Sequence, residues 1–210
     1  MIKLCGMRDA DNIREVEQLL ASNLSTCQLV NSSTPLMGFI FWPKSSRYVS
    51  ERPAYLPTKC RRVGVFVDED IETVKRIADE YALDYIQLHG RESREYCAQL
   101  QGFHLIKAIN VSDGNDLAQT APYEGLADYF LFDTKGKSVG GNGEKFDWDV
   151  LSSYQGETPF LLSGGIGPDD VERVKNFRHQ KCVGIDLNSR FEVSPALKDI
   201  NKLKTFLQSL

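Results

Sequence analysis

The chain has 210 residues, of which 41% are hydrophobic and 26% charged, and its formal net charge is −4. At about 150 residues per domain this length allows one or two domains, and the composition excludes a disordered, collagen-like or coiled-coil protein. The slight excess of acidic residues argues against a dedicated nucleic-acid-binding protein but permits a local anion site.

The chain lacks the signals of membrane, secreted and metal-binding proteins. It contains no run of about 18 apolar residues and does not begin with the apolar stretch of a secretory signal, so a cytoplasmic protein is expected. The three histidines have no His or Cys partner at metal-ligand spacing, and no metal ion is predicted. The odd number of cysteines, with no C-x-x-C motif, predicts reduced thiols; they are Cys5, Cys27, Cys60, Cys97 and Cys182.

Eight short apolar runs are predicted to be strands. Several, such as Val-Gly-Val-Phe-Val at 63–67, are almost continuously hydrophobic, which is typical of parallel strands buried on both faces. The eight runs are 2–5, 36–41, 62–67, 85–88, 104–109, 129–132, 159–162 and 182–187.

Amphipathic segments alternate with these runs and are predicted to be helices. Segment 69–82 places Ile71, Val74 and Ile77 on one stripe, and segment 168–177 opens with a proline and two acidic residues, as helix starts do. The predicted helices are 15–20, 69–82, 94–100, 116–126, 168–177 and 196–210.

Alternating strands and helices without a linker predict a parallel sheet. An open doubly wound sheet is the alternative, but no strand is followed by the G-x-G-x-x-G of a dinucleotide-binding fold. Eight β-α units therefore favour an α/β protein of the (β/α)₈ barrel type, with residues 1–210 forming a single domain. Two stretches break the rhythm: a polar segment at 23–35, predicted to be a surface insertion, and a glycine-rich segment at 135–144, predicted to be an active-site loop.

In such a barrel the functional groups lie at the carboxyl ends of the strands. The polar residues at these positions are Lys3, Cys5, Arg47, Asp68, His89, Asn110, Asp133, Ser163 and Asp186.

The seventh and eighth strands carry the clearest signal, which is for phosphate. Gly164 and Gly165 follow one strand, and Asp186, Asn188 and Ser189 end or follow the next. Glycines let the backbone approach an anion closely, and the loops after these two strands commonly hold phosphate in this architecture. A tight turn at Gly164 is the alternative for the glycine pair taken alone.

Cys5 and Asp133 are the candidates for acid–base catalysis. A thiol acts as a base once its pKa falls toward neutrality, which an electropositive pocket promotes, and a partly desolvated carboxyl group acts as an acid. An inert buried cysteine and a turn-forming aspartate remain the alternatives. The residues by themselves predict a barrel that handles a phosphorylated sugar.

Motifs along the whole chain add a resemblance to a known family. They are Lys-Leu-Cys-Gly at 3–6, Phe-Trp-Pro-Lys-Ser-Ser-Arg at 41–47, Gln-Leu-His-Gly at 87–90, Phe-Asp-Trp at 146–148, Leu-Ser-Gly-Gly at 162–165 and Gly-Ile-Asp-Leu-Asn-Ser at 184–189. In this order they resemble phosphoribosylanthranilate isomerase, a (β/α)₈ enzyme of tryptophan biosynthesis.

The resemblance implies an Amadori rearrangement of N-(5-phosphoribosyl)anthranilate with no cofactor. It implies Asp133 as general acid, Cys5 as general base and Arg47 as the partner of the substrate carboxylate. It further implies that Gly164, Gly165, Asn188 and Ser189 hold the phosphate while Asp186 orients their loop, and that Lys3, Gln87 and His89 belong to the pocket with less support. The expected partner is a small phosphorylated substrate, neither nucleic acid nor membrane, and the chain is expected to be a monomer or homodimer.

Two alternatives and one departure from the family pattern accompany this hypothesis. Another phosphosugar barrel would place catalytic Lys and Glu residues or metal ligands at these strand ends, and a non-catalytic phosphate-binding barrel would not need both Cys5 and Asp133. Arg190 stands where the family usually has glycine. Its guanidinium either adds charge to the phosphate site or extends into solvent.

Overall fold

Eight parallel strands close into a barrel in the order of the chain, and the first strand pairs with the last. The computed structural model describes residues 1–23, 34–134 and 147–210. The predicted (β/α)₈ class is therefore confirmed. The barrel strands are β1 (Ile2–Leu4), β2 (Leu36–Ile40), β3 (Arg61–Phe66), β4 (Tyr85–Leu88), β5 (His104–Val111), β6 (Tyr129–Thr134), β7 (Phe160–Leu162) and β8 (Cys182–Leu187).

Helical segments connect most of the strands on the outside of the barrel. The α-helices of the described part of the chain are α1 (Ala10–Asn23), α2 (Ile71–Tyr81), α3 (Arg94–Ala98), α4 (Val171–Asn176) and α5 (Ile200–Ser209). Four further segments are 3₁₀ helices: Gly114–Tyr123, Trp148–Ser153, Pro168–Asp170 and Ser189–Phe191.

Three predicted helices differ most from the structure in extent or type; smaller differences are that α3 ends at Ala98 and that 168–177 divides into the 3₁₀ helix Pro168–Asp170 and α4. The first is longer than 15–20, because α1 already begins at Ala10. The segment predicted at 116–126 is a 3₁₀ helix, Gly114–Tyr123, with Pro122 inside it; proline cannot donate the hydrogen bond that an α-helix requires. The last helix begins at Ile200, since β9 (Glu192–Ser194) and β10 (Leu197–Lys198) pair as an antiparallel hairpin just before it.

The connection between β2 and β3, residues 41–60, contains no helix. Its end is held by the buried carboxylate of Glu17 on α1, which accepts hydrogen bonds from the backbone N–H groups of Thr58 at 2.6 Å and Lys59 at 2.5 Å. The hydroxyl of Tyr55 also donates to Glu17. With its end anchored and no helix in it, this long connection extends to the mouth of the barrel and places Arg47 there.

Each strand sends alternate side chains to the interior and to the helices, as a period of two requires. The larger apolar cluster packs between strands and helices. A smaller interior cluster fills the barrel and consists of Cys5, Leu36, Val63, Val65, Tyr85, Ile106, Ala108, Leu131 and Leu161. Burial on both faces explains why the strands are so hydrophobic.

The two stretches that break the rhythm fall largely outside the described residues. Of the predicted insertion at 23–35, only the ends are described, and the predicted glycine-rich loop at 135–144 is wholly outside. Cys27 lies there too, while Cys5, Cys60, Cys97 and Cys182 are free thiols. None of the described helices is both long and apolar enough to cross a membrane.

Candidate active site

A cavity of 360 Å³ opens at the carboxyl ends of the barrel strands. All of the site residues that the family resemblance implies, except Lys3, line it: Cys5, Arg47, Gln87, His89, Asp133, Gly164, Gly165, Asp186, Asn188 and Ser189. A larger cavity of 730 Å³ lies at the opposite, amino ends of the strands and is lined by none of them.

The alternation of side chains along the strands brings these residues together. Asp133 shares a face of β6 with Leu131, and Gln87 shares a face of β4 with Tyr85, where Leu131 and Tyr85 belong to the interior cluster. Polar groups two residues beyond an interior apolar residue must face the mouth of the barrel. The site is thus the uppermost polar layer of the barrel interior.

Lys3 lies beneath this layer rather than in the cavity wall. Its side chain is 0% exposed, and its Nζ donates to Oδ1 of Asp186 at 2.7 Å. Burial by itself lowers the pKa of Lys3, but the neighbouring Asp186 and Cys5 outweigh it and the pKa is raised. Lys3 is therefore a charged group directly below the Cys5 thiol.

The pKa of the Cys5 thiol is raised in this structure, not lowered as an electropositive pocket would make it. Cys5 is only 4% exposed, and burial raises the pKa of its thiol. The positive charges of Lys3 and Lys198 act in the opposite direction, and Asp186 adds to the rise. The loss of hydration of a thiolate outweighs the attraction of the two cations, each of which is itself paired with a carboxylate, Lys3 with Asp186 and Lys198 with Glu192.

Asp133 lies in contact with His89, which in turn contacts Gln87. Nε2 of Gln87 lies 2.9 Å from Nδ1 of His89, and Nε2 of His89 lies 3.4 Å from Oδ2 of Asp133. Oε1 of Gln87 is buried and has no hydrogen-bond partner among the described residues.

Arg47 reaches the cavity from the β2–β3 connection and is held by Glu192. Nε of the guanidinium lies 2.8 Å from Oε1 of Glu192, and Nη2 lies 2.6 Å from Oε2. This hydrogen-bonded pairing raises the pKa of Arg47, and together with Lys198 it holds the pKa of Glu192 below its usual range despite burial, which acts to raise it.

The glycine at position 6 makes room for this arrangement. Its φ is +78°, and a Cβ placed there would lie 2.7 Å from Cδ of Arg47 and 2.8 Å from Oδ1 of Asn188. Both distances are too short for a carbon atom. The K-x-C-G motif therefore serves two purposes, because it places Lys3 and Cys5 in the barrel and keeps the approach to Arg47 open.

The loops after β7 and β8 form one side of the cavity. Gly164 and Gly165 have φ values of +90° and +69°, a backbone conformation that favours glycine. Below them, Oγ of Ser163 donates to Oδ2 of Asp186 at 3.2 Å, which links the ends of the two strands. Arg190 is exposed and is not among the residues that line the cavity, so its side chain extends toward solvent.

A sequence profile described as N-(5′-phosphoribosyl)anthranilate isomerase matches residues 6–209. The chain belongs to the phosphoribosylanthranilate isomerase family. This is a family of isomerases that act in tryptophan biosynthesis.

Relatives and solved structures agree with this assignment. The isomerase of Phocaeicola vulgatus is 46% identical over 100% of this chain and 97% of its own length, and that of Parabacteroides distasonis is 47% identical over 100% and 93%. The crystal structure of the isomerase from Thermotoga maritima matches with a TM-score of 0.78 at 29% identity, covering 99% of this chain and 97% of that one. A phosphoribosylanthranilate isomerase solved in complex with reduced 1-(o-carboxyphenylamino)-1-deoxyribulose 5-phosphate has a TM-score of 0.74 at 27% identity, with coverage of 99% and 96%.

Within this isomerase fold, the sequence also suggested residues that the structure leaves outside the site, and it missed others. Asp68 and Asn110 end strands but do not line the cavity; Oδ1 of Asp68 instead accepts a hydrogen bond from the backbone of Arg91 at 2.5 Å. Glu192 and Lys198 were not predicted. The sequence signal for these two residues was a glutamate and a lysine six positions apart, shortly after the last strand of the barrel. No group of three His, Cys, Asp or Glu residues in the described ranges is placed to hold a metal ion.

Proposed function

We propose that this chain converts N-(5-phosphoribosyl)anthranilate into 1-(o-carboxyphenylamino)-1-deoxyribulose 5-phosphate by an Amadori rearrangement. The observation that carries the proposal is the presence of Cys5, Asp133 and Arg47 in one cavity together with the glycine loop at 164–165. The substrate has a carboxylate at one end and a phosphate at the other. A cavity that offers a candidate partner for each end beside an acid–base pair matches these requirements.

Asp133 is proposed as the general acid. In its protonated form it donates a proton to the ring oxygen of the ribose, the C1′–O bond breaks, and the nitrogen lone pair forms the C1′=N bond of a Schiff base. His89, in contact with Oδ2 of Asp133, keeps the carboxyl group in the cavity. Gln87 supports His89 by the hydrogen bond to Nδ1.

Cys5 is proposed as the general base. Its thiolate removes the proton from C2′. The electron pair of the C2′–H bond forms the C1′=C2′ double bond, and the π electrons of C1′=N move to the nitrogen. The resulting enolamine tautomerises to the ketone. A thiol whose pKa is raised is rarely ionised at neutral pH, but its thiolate is a correspondingly stronger base. The nearby ammonium of Lys3 favours the thiolate over the thiol and so supports this role.

The two ends of the substrate are proposed to be held by different chemistry. Arg47 offers a guanidinium to the anthranilate carboxylate, which suits a planar acid. The backbone at Gly164 and Gly165, with Asn188 and Ser189, offers N–H and side-chain donors to the phosphate. Asp186 does not itself contact an anion in this scheme. It orients the loops through Ser163 and Lys3.

The surroundings of the chain are part of the proposal. A small phosphorylated molecule is its partner, and it works in the cytoplasm as a single domain. Solved relatives include both dimeric and monomeric forms of the Thermotoga maritima isomerase, and we propose a monomer or homodimer here.

The anthranilate glycoside is fluorescent, and its loss on conversion provides the test. We expect the fluorescence of N-(5-phosphoribosyl)anthranilate to fall at a rate proportional to protein concentration, with the deoxyribulose phosphate as the product. If the glycoside binds but its fluorescence persists, the chain is a phosphate-binding barrel without this activity.

A further inference from the structure

Glu192 is paired with Arg47, the residue that is proposed to bind the substrate carboxylate. The carboxylate of Glu192 accepts hydrogen bonds from Nε at 2.8 Å and from Nη2 at 2.6 Å, so one edge of the guanidinium is occupied. Nη1 takes part in none of the hydrogen bonds among the described residues, and Arg47 lines the cavity. An ion pair of one arginine and one carboxylate has no net charge, so it would attract a second carboxylate only weakly.

A second cation alters this balance. Nζ of Lys198 lies 2.7 Å from Oε1 of Glu192, on a side chain that is 0% exposed. The same Nζ lies 2.9 Å from Oδ1 of Asn188. With Lys198 protonated, Arg47, Glu192 and Lys198 together carry a net charge of +1, and their side chains are 15%, 5% and 0% exposed. Burial lowers the pKa of Lys198, and the adjacent carboxylate of Glu192 acts in the opposite direction. In such a setting water screens charges less than it does at the surface.

We propose that Glu192 and Lys198 are positioning residues for Arg47: Glu192 holds one edge of the guanidinium, and Lys198 offsets the charge of Glu192 so that Nη1 attracts the substrate carboxylate. The inference rests on the proposed role of Arg47 and extends it to two residues that make no contact with the reacting atoms. It explains why a lysine is buried beside a glutamate that already has an arginine partner.

The same residues connect the two ends of the site. Asn188 belongs to the loop that is proposed to hold the phosphate, and it accepts from Lys198, while Glu192 holds the residue that is proposed to bind the carboxylate. Glu192 also accepts from the backbone N–H of Ala196 at 3.3 Å, which ties its carboxylate to the hairpin β9–β10. Residues 188–198 thus contact both of the proposed anion sites.

Two substrates that differ only in the carboxylate isolate this effect. We suggest measuring kcat/KM for N-(5-phosphoribosyl)anthranilate and for the corresponding aniline glycoside, and taking their ratio as the carboxylate discrimination. We expect Lys198→Met to lower this ratio at least ~10-fold, because even a modest weakening of the attraction between Arg47 and the substrate carboxylate changes binding by a factor of ten. The change should appear mainly as a higher KM for the anthranilate glycoside. Both substrates carry the phosphate, so any effect through Asn188 cancels in the ratio.

The double variant Glu192→Gln/Lys198→Met provides the decisive comparison. Removing the competing carboxylate as well as the lysine restores the +1 charge at Arg47, so we expect its discrimination to exceed that of Lys198→Met. If the two substitutions acted only by disturbing the structure, their losses of discrimination would instead add, and the double variant would discriminate less than Lys198→Met. If Lys198→Met does not fold, Lys198→Gln removes the charge and retains a donor for Asn188, and the same reversal is expected. Glu124→Gln, which alters a carboxylate that binds Tyr154 and Thr158 outside the cavity, is the matched control and should leave the ratio unchanged.

Arg47→Ala separates the two levels of the argument. If Arg47→Ala abolishes the discrimination while Lys198→Met leaves it at the wild-type value, the inference is overturned and the role of Arg47 stands. A double variant that discriminates less than Lys198→Met also overturns it. If Arg47→Ala leaves the discrimination intact, the proposed role of Arg47 fails and the inference with it.

Discussion

The ammonium nitrogen of Lys3 lies 2.7 Å from Oδ1 of Asp186, and the two residues are direct neighbours where β1 pairs with β8. This ion pair therefore sits at the closure of the barrel. Its other contacts are polar as well, because Ser163 donates to the second oxygen of Asp186 and the Cys5 thiol is close enough to alter the pKa of Lys3. The closure of the fold and the environment of the proposed base depend on the same pair.

The first prediction concerns stability. Lys3→Met leaves the Asp186 carboxylate buried without its cation, and removal of one member of a buried pair typically costs about 3–5 kcal/mol. We expect a loss of this size in the free energy of unfolding, measured by urea denaturation.

A double-mutant cycle provides the control. Lys3→Met combined with Asp186→Val removes both charges, and such replacements are often close to neutral. The double variant should therefore recover most of the stability that Lys3→Met loses. If the double variant instead loses the sum of the unfolding free energies lost by Lys3→Met and by Asp186→Val, the two charges do not pair directly.

The second prediction concerns the ionisation of Cys5. Burial raises its pKa, so the thiol is protonated in the free protein at neutral pH and ionises only above the ordinary value of about 8.5. The thiolate absorbance present in wild type and missing from Cys5→Ser should appear only above that pH. Lys3→Met should move the titration to still higher pH, because the charge of Lys3 lowers the pKa of Cys5. A signal that is complete at neutral pH would contradict this.

The third prediction concerns the proposed acid and base. Cys5→Ala and Asp133→Asn each remove one proton-transfer group, and general acid–base catalysis contributes about 10²–10⁴-fold to a rate. We expect kcat to fall at least ~10²-fold in each variant with an unchanged circular dichroism spectrum. Cys97→Ala, at a buried cysteine on α3 that does not line the cavity, should leave kcat at the wild-type value. Near-wild-type turnover in Cys5→Ala and Asp133→Asn would refute the assigned roles.

The fourth prediction separates backbone strain from crowding of the site. Gly6 and Gly125 have nearly equal φ values of +78° and +75°, but a Cβ would collide with Arg47 and Asn188 only at Gly6 and meets nothing within 4 Å at Gly125. Alanine at either position should destabilise the fold by about 1–2 kcal/mol through the left-handed conformation. Only Gly6→Ala should also raise KM for the anthranilate glycoside, as steady-state kinetics would detect. Equal effects on KM would show that the crowding has no consequence.

Local patterns predicted the strands well and the helices less well. The runs at 85–88 and 182–187 coincide with β4 and β8, because both are mostly apolar, as strands inside a barrel are, apart from Gln87 and Asp186 near their carboxyl ends. The last helix was predicted to begin at 196 and begins at Ile200. The apolar residues at helical spacing begin only at Ile200, and the residues just before it include β10, which pairs with β9.

The members of the site were also accessible from the sequence, while their mutual contacts were not. A polar residue at the carboxyl end of a barrel strand is a candidate wherever the fold is known, and this rule found Cys5 and Asp133 but equally Asp68 and Asn110. The ion pairs Lys3–Asp186 and Arg47–Glu192 join residues 183 and 145 positions apart. No local pattern records a contact over such a separation.

The sequence by itself determined the architecture of this protein and supplied the candidates for its reactive groups. Hydrophobic periodicity is a local property, so eight alternating units could be counted along the chain, and the order of the motifs pointed to the family. Only the tertiary structure decided the electrostatic state of the site. The pKa of Cys5 depends on burial and on Lys3, Asp186 and Lys198 together, and the charge at Arg47 depends on Glu192 and Lys198. These are sums over neighbours in space, and closure of the barrel is what makes them neighbours.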